Sequence, residues 1–181
     1  TSCDARDLSP TWTQKLPTAG FYSGATSVPL VIARLYAAVQ ADAHIWPDYR
    51  TAEFHFRKER KIRRLRSLLT DAGAVWREHK KRDGTMTLLT KDLTDIVLTL
   101  GRSRRYGRWL LDWSGPALDA WLDELKHWDG TCDKQRREAY FTKPRENADW
   151  VKTIAHLRGR QSLVRRGERV WIASLNRRRF A

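Results

Sequence analysis

Cysteine is almost absent from this chain. Cys3 and Cys132 are the only two among 181 residues, and they form no CxxC pair. A disulfide scaffold and a cysteine-rich zinc site are therefore excluded, and a reducing compartment suits the sequence. Long apolar runs are absent too. The longest apolar stretch, residues 28–39, contains Pro29 and Arg34, whereas a membrane span needs about 18 consecutive apolar residues. Acidic residues are in the minority: 21 Asp and Glu stand against 35 Lys and Arg, for a formal net charge of +14. Such a surplus makes a polyanion the first partner to consider. The N-terminus lacks the basic, apolar and small-residue pattern of a secretory signal, and Thr1 is not a start methionine. The chain is read as a processed product or an excerpt of a longer one.

What is present is an ordinary globular balance, 31% charged and 41% hydrophobic, which argues against disorder. The basic charge is clustered. Residues 54–66, FHFRKERKIRRLR, hold seven Lys or Arg and one acid; residues 158–181 hold eight Arg and one acid; residues 101–107 add RSRR. Three separated basic segments predict one extended basic surface. Nine Trp are many for this length, and most are assigned to the core.

An internal repeat organises the rest. Residues 28–41 read VPLVIARLYAAVQA and lead to Asp42; residues 116–128 read PALDAWLDELKHW and lead to Asp129. Each begins near a Pro suited to a first helical turn. Val31, Leu35 and Ala38 match Leu118, Leu122 and Leu125 at a constant offset of 87, and the two aspartates keep the same offset. Downstream, FHFRK ending at Lys58 matches YFTK ending at Lys143, both reading as short strands. Amphipathic helices follow, with Ile62, Leu65, Leu68 and Leu69 on one face, and Ala148, Val151, Ile154 and Ala155 on the other copy's face. Gly73 and Gly159 stand where a left-handed C-cap would end each helix. A hairpin is expected after each: residues 74–80 and 85–90 around a turn at 82–84, then residues 161–164 and 169–175 around a turn at 165–168. Residues 92–112 read as a helical linker broken near Gly101 and Gly107. Each half is thus helix, Asp, strand, helix, hairpin, in an α+β fold with antiparallel sheet.

Pseudo-two-fold packing of the two first helices would bring Asp42 and Asp129 together. Two neighbouring carboxylates persist ionised only with a cation between them. Their oxygens suit Mg²⁺, which keeps waters and accepts phosphate oxygens. That is the equipment of phosphodiester hydrolysis. An Asp at a helix C-terminus is electrostatically disfavoured, so the matched pair lacks an easy structural excuse.

At this point the chain resembles a LAGLIDADG homing endonuclease in its single-chain, two-repeat form, over about four fifths of its length. The resemblance rests on the two helices ending in Asp42-Ala43 and Asp129-Gly130 and on the matching order downstream. It implies two pseudo-symmetric αββαββ repeats packed through those helices, with antiparallel sheets forming a DNA-binding saddle. It divides the chain into residues 1–27, an N-terminal extension or intein-linked segment; 28–112, the first repeat with linker helices; and 113–181, the second repeat. It further implies a monomer that binds double-stranded DNA and cuts both strands at a long asymmetric site with Mg²⁺, two or more divalent ions being shared by the aspartate pair. Asp42 and Asp129 match the catalytic metal-binding acids, and the carbonyls of Ala41 and Trp128 match positions that add a metal ligand. Lys91 matches a basic residue placed near the active site, with a counterpart at Asn176 or Arg177. The stretch DLSPTWTQKLPTAGFYSG resembles the segment leading into an endonuclease inserted in an intein, so an intein host protein is a possible source. The setting implied is intracellular, the cytoplasm or nucleoid of a microbial or phage host. Two departures stand out. Ala43 replaces the family's Gly and predicts a shifted turn. Glu124 and Trp128 are bulky where small residues are usual, and predict a large-against-small contact with Ala37, Ala38 and Ala41.

Strand alternation selects the side chains that would meet DNA. With Phe54 and Phe56 facing the helices, Glu53, His55 and Arg57 face outward, joined by Arg50, Arg77, His79, Lys81 and Thr87 in the first half. Lys134, Arg136, Arg165, Arg169 and Arg177 are the candidates in the second. The five His show no HNH arrangement. Two other readings compete with the nuclease: a DNA- or RNA-binding protein or maturase of the same fold, and a basic domain for acidic protein or membrane surfaces.

Overall fold

The computed structural model describes residues 21–133 and 138–176. Two copies of one unit follow each other. In the first, α1 (Leu30–Asp42) runs directly into β1 (Ala43–Trp46), then β2 (Thr51–Phe56), α2 (Glu59–Asp71), β3 (Trp76–Lys80) and β4 (Met86–Thr90). A linker holds α3 (Thr94–Leu100) and a 3₁₀ segment, Arg108–Asp112. The second copy has α4 (Gly115–Glu124), a 3₁₀ turn at Leu125–His127, β5 (Gly130–Cys132), β6 (Glu138–Thr142), α5 (Arg145–Leu157), β7 (Gln161–Arg166) and β8 (Trp171–Asn176). Both sheets are four-stranded and antiparallel, and their orders correspond: β1-β2-β4-β3 and β5-β6-β8-β7. Among the described residues no helix is long and apolar enough to cross a membrane.

The repeat is visible at its joints. Gly73 and Gly159 take φ of 66° and 71°, and backbone bonds from Ala74 to Leu69 O and from Arg160 to Ala155 O close both helix ends. An L side chain is strained at such φ. The predicted apolar faces are the buried ones: Ile62, Leu65, Leu68 and Leu69 on α2, and Ala148, Val151, Ile154 and Ala155 on α5. Two short strands, β1 and β5, are absent from the residue-by-residue reading and present only in the αββαββ pattern that the resemblance implied. They are four and three residues long, too short for alternation to register. The second hairpin turns later than expected. Arg165 and Arg166 stay in β7, paired with Ile172 and Trp171, and the turn closes through Gly167 N–H to Val170 O, 2.8 Å. The Arg166 guanidinium lies 5.0 Å from the Trp171 ring, which favours the extra pair.

The two units share one core, with α1 packed along α4. Both helices carry fully or nearly fully buried alanines, Ala33, Ala37 and Ala38 on α1 and Ala117 and Ala120 on α4, so their backbones can approach closely. At the end of α1 the Gln40 carboxamide oxygen accepts from two buried phenols, Tyr106 of the linker at 2.8 Å and Tyr140 of β6 at 3.0 Å. The end of the first helix is thereby fixed to the second sheet. Gln40→Leu leaves both hydroxyls without this acceptor, and each buried donor without a partner costs about 1–3 kcal/mol. Urea unfolding should show a loss on the order of 2–4 kcal/mol; an unchanged midpoint would mean the phenols are held otherwise.

Candidate active site

Asp42 is the last residue of α1, and the chain leaves it in extended conformation at Ala43, φ −78° and ψ 141°. The Ala43 methyl is buried, so alanine fits here without the predicted shift of the turn. Asp129 is reached differently. α4 stops at Glu124, a 3₁₀ turn follows, and Trp128 takes φ −110° and ψ −93°. At Gly130 a Cβ would lie 2.7 Å from the Lys126 Cα, so this tight path requires glycine. The bulky residues do not wedge the helices apart. Trp128 packs on Phe56, ring centroids 5.9 Å apart. Glu124 is ion-paired with Arg64 of α2 and accepts from the Trp128 indole N–H at 3.0 Å. Both therefore have partners on β2 and α2, while Trp128 also lines a cleft with Gln40 and Ala41 of α1.

The two acids are near enough for the charge of Asp42 to act on Asp129, yet their surroundings differ. The Asp42 carboxylate accepts from Lys61 Nζ at 2.5 Å. Lys61 is nearly buried, with its ammonium about 6 Å from the rings of Phe56 and Trp128. Asp129 has no hydrogen-bond donor to its carboxylate among the described residues. Its pKa is pushed up to about 6, first by burial and then by the charge of Asp42, with Lys61 and Arg104 opposing. In the second copy the position of Lys61 is held by Asn147, 86 residues on. Its side chain binds backbone instead, accepting from Tyr106 N–H at 3.0 Å and donating to Arg104 O at 3.3 Å. The pseudo-symmetry therefore breaks at the cation: one acid has a lysine, the other does not.

Asn147 holds the loop that carries Arg104. Arg104 sits at φ 50°, an uncommon conformation for a residue with a side chain. Its guanidinium donates to Ala43 O at 2.9 Å and Ala41 O at 3.3 Å. It lines two clefts at once. One, of about 500 Å³, holds Asp42, His44, His55 and Arg102. The other, of about 630 Å³, holds Asp129, Ala41, Trp128, Lys58, Arg60 and Lys143. Arg60 also donates to His127 O at 2.9 Å. Burial, ahead of the surrounding charges, lowers the pKa of His127.

The structure brings Asp42, Asp129, Ala41 and Trp128 together and leaves Lys91 apart. Lys91 follows β4 and lines a separate hollow with Val75, Trp76, Arg77 and Asp92. In the sheet register Ala43 aligns with Phe54 and Leu88, so Lys91 lies three residues, about 10 Å of strand, further along. The cations that do line the aspartate clefts are Lys58, Arg60, Arg102, Arg104 and Lys143, and Lys61 pairs with Asp42 directly. The repeated strand ends FHFRK and YFTK carried Lys58 and Lys143 in plain view. Lys61 and Arg104 gave no signal beyond membership of basic runs.

The clustered basic residues also serve the fold. Much of the clustered charge ties elements together: Arg57 to Asp83, Arg64 to Glu124, Arg66 to Glu78, Arg102 to Asp48, Arg105 to Glu146, Arg158 to Asp119 and Arg160 to Asp123. Of the predicted outward set, Glu53, His55, Arg77, His79 and Thr87 share the sheet face away from the helices. Thr87 is largely buried on that face beside His55, 3.1 Å away. Arg50, at a left-handed turn, and Lys81, Arg165 and Arg169 are exposed. Lys134, Arg136 and Arg177 lie outside the described residues, as does most of the stretch resembling an intein segment.

The donor set fits a hard divalent cation. Two carboxylates and the Ala41 carbonyl are oxygen ligands of the kind Mg²⁺ and Mn²⁺ take, with waters and phosphate oxygens to complete the shell. The unsupported charge of Asp129 is what such a cation would relieve. No group of three or more His, Cys, Asp or Glu is gathered for a metal among the described residues.

No family model matches the chain. Among curated proteins it is 25% identical over 154 residues to the ribonucleoside-diphosphate reductase subunit beta of Aquifex aeolicus, covering 75% of this chain and 21% of that protein. The chain thus spans about a fifth of the length of the curated relative it matches. Solved structures agree in shape. The N-terminal LAGLIDADG domain of DUF199/WhiA superposes with a TM-score of 0.57 at 11% identity, over 82% of this chain and 79% of that one. I-DmoI, a homing endonuclease solved with DNA and Mn, gives 0.57 at 15% identity, over 81% and 89%. The chain has the LAGLIDADG homing endonuclease fold, α+β with two αββαββ units and two four-stranded antiparallel sheets.

Two measurements follow. The folded chain holds the Asp129 proton more tightly than the unfolded chain. Asp129 therefore favours folding at pH 4 and below, and that contribution is lost as pH rises through about 6. In chelator at pH 7 Asp129→Asn should be more stable than the parent, on the order of 2–3 kcal/mol, and the gap should close near pH 4 in urea unfolding. Lys61→Met removes the cation from Asp42. Its melting temperature should rise with added Mg²⁺ well beyond the response of the parent; equal responses would show that Lys61 does not take a cation's place.

Proposed function

We propose that this chain is a Mg²⁺-dependent DNA endonuclease that hydrolyses both strands at a long, asymmetric target. The observation that carries this reading is the pair Asp42, at the end of α1, and Asp129, just past the 3₁₀ turn that follows α4, close enough for one charge to act on the other, within one fold that also presents two sheet faces. In I-DmoI the same fold is solved with DNA and Mn and with target DNA and Mg. Asp42, Asp129 and Ala41 O would hold the divalent ion, which supplies an activated water and offsets charge on the leaving oxygen. The chain's own residues do the remaining work. Lys58, Arg60 and Lys143 surround Asp129 and can hold the phosphates flanking the scissile bond. Arg104, fixed by Asn147, delivers one positive charge to both clefts and can stabilise charge developing on either strand. The outward faces of the two sheets can enter the major groove.

A second reading has its own support. Lys61 already neutralises Asp42 and Arg104 already donates to Ala41 O, so cations of the protein stand against two of the three metal-facing groups. A site-specific DNA-binding protein, or a maturase, on the same scaffold would need nothing more.

Digestion of a large random DNA library with Mg²⁺ or with chelator, followed by sequencing of the ends, separates the two. The nuclease reading expects recurrent Mg²⁺-dependent double-strand breaks at one non-palindromic site. Asp42→Asn and Asp129→Asn should each lower the cleavage rate at least about 100-fold with binding kept. Enrichment of a sequence with no breaks would establish the binder.

A further inference from the structure

The two sheet faces differ at matching positions. On the first, the rows across the strands are His44–Glu53–Leu89–Arg77 and His55–Thr87–His79. On the second, 85 to 87 residues later, they are Thr131–Ala139–Ser174–Leu163 and Phe141–Ile172–Arg165. Where the first face offers three histidines, a glutamate and an arginine, the second offers threonine, phenylalanine, arginine, alanine and leucine. Leu163 is 63% exposed, and Phe141 and Ile172, paired with each other on the same face, are half-buried. An unpaired apolar patch on an otherwise strongly basic protein calls for an occupant.

We infer that the second sheet reads its half of the DNA target through thymine methyl groups, while the first sheet reads its half through hydrogen bonds. This rests on the DNA-binding reading above. The thymine methyl is the apolar group exposed in the major groove, and apolar side chains meet it directly. The surroundings favour a nucleic acid over a protein. Neither row of the second face carries an acid, one row ends in exposed Arg165, and Lys143 and Arg169 are exposed just outside β6 and β8, matching phosphates that flank the groove. The face also continues into the cleft that holds Asp129, since Phe141 lines both. The first face, with Arg77, His79, His44 and Glu53, carries the donors and acceptors suited to guanine, adenine and cytosine edges.

The test begins with selection of bound sequences from random duplexes by the full chain, by Arg77→Ala and by Leu163→Arg. Each substitution is at an exposed position and should change base preference in one half of the site only, which assigns the halves to the sheets. Thymines are then replaced by uracil in one half at a time, which removes the methyl and nothing else. The inference expects affinity to fall about fourfold per methyl removed in the half altered by Leu163→Arg, and to stay within about twofold in the half altered by Arg77→Ala. Indifference to uracil in both halves, or loss confined to the first, overturns it while DNA binding stands. Concentration-dependent self-association abolished by Leu163→Arg, with no uracil effect, would give the face to a second copy instead. Failure to enrich any sequence would overturn the DNA reading itself.

Discussion

Close packing of α1 along α4 is the constraint on which the rest depends. Neither unit buries enough by itself, and the shared core runs through both helices. Buried alanines let the helix backbones approach, and Gln40 fastens the end of α1 to Tyr140 in the opposite sheet. With the helices fixed, their C-terminal ends present Asp42 and Asp129 to the same region. The sheets are placed by the same contact, because each is covered by its own amphipathic helix and begins at a helix end.

That arrangement stores an electrostatic conflict. The two carboxylates repel each other, and Asp42, as the last residue of α1, also opposes that helix's dipole. The protein resolves half of the conflict internally with Lys61, whose ammonium lies about 6 Å from the rings of Phe56 and Trp128. The other half is left: Asp129 is raised to about 6 by burial and by its neighbour. A site that is destabilised until a cation arrives is expected of a metal-dependent centre, and Arg104 moderates the cost by reaching both clefts. The departure from symmetry is therefore chemical as well as geometric. Asn147 replaces the lysine and spends its hydrogen bonds on the loop that positions Arg104.

The use of basic residues follows a related division. Many of the arginines in the three charged runs pair with acids across elements and consolidate the fold. The residues left for a polyanion are fewer and better placed: Lys58 and Lys143 at the strand ends beside the aspartates, Arg77 and His79 on one sheet, Arg165 and Arg169 on the other. Net charge counts every cation alike, whereas the ion pairs determine which of them are tied into the fold.

The sequence by itself determined the architecture. The constant offset of 87 tied the two helices and both aspartates, and the glycines at 73 and 159, the apolar faces of α2 and α5 and the outward set from Glu53 to Thr87 follow from local periodicities. Such patterns are legible because each depends on a few neighbouring residues. Tertiary structure decided the rest. Short β1 and β5 exist through pairing with β2 and β6. Trp128 and Glu124 gain partners on β2 and α2. Lys91, just past β4, lines a hollow apart from both aspartate clefts. Lys61 and Arg104 join the aspartates from 19 residues downstream and from the linker. Charge acts through space, over distances that the fold sets and that spacing along the chain does not record.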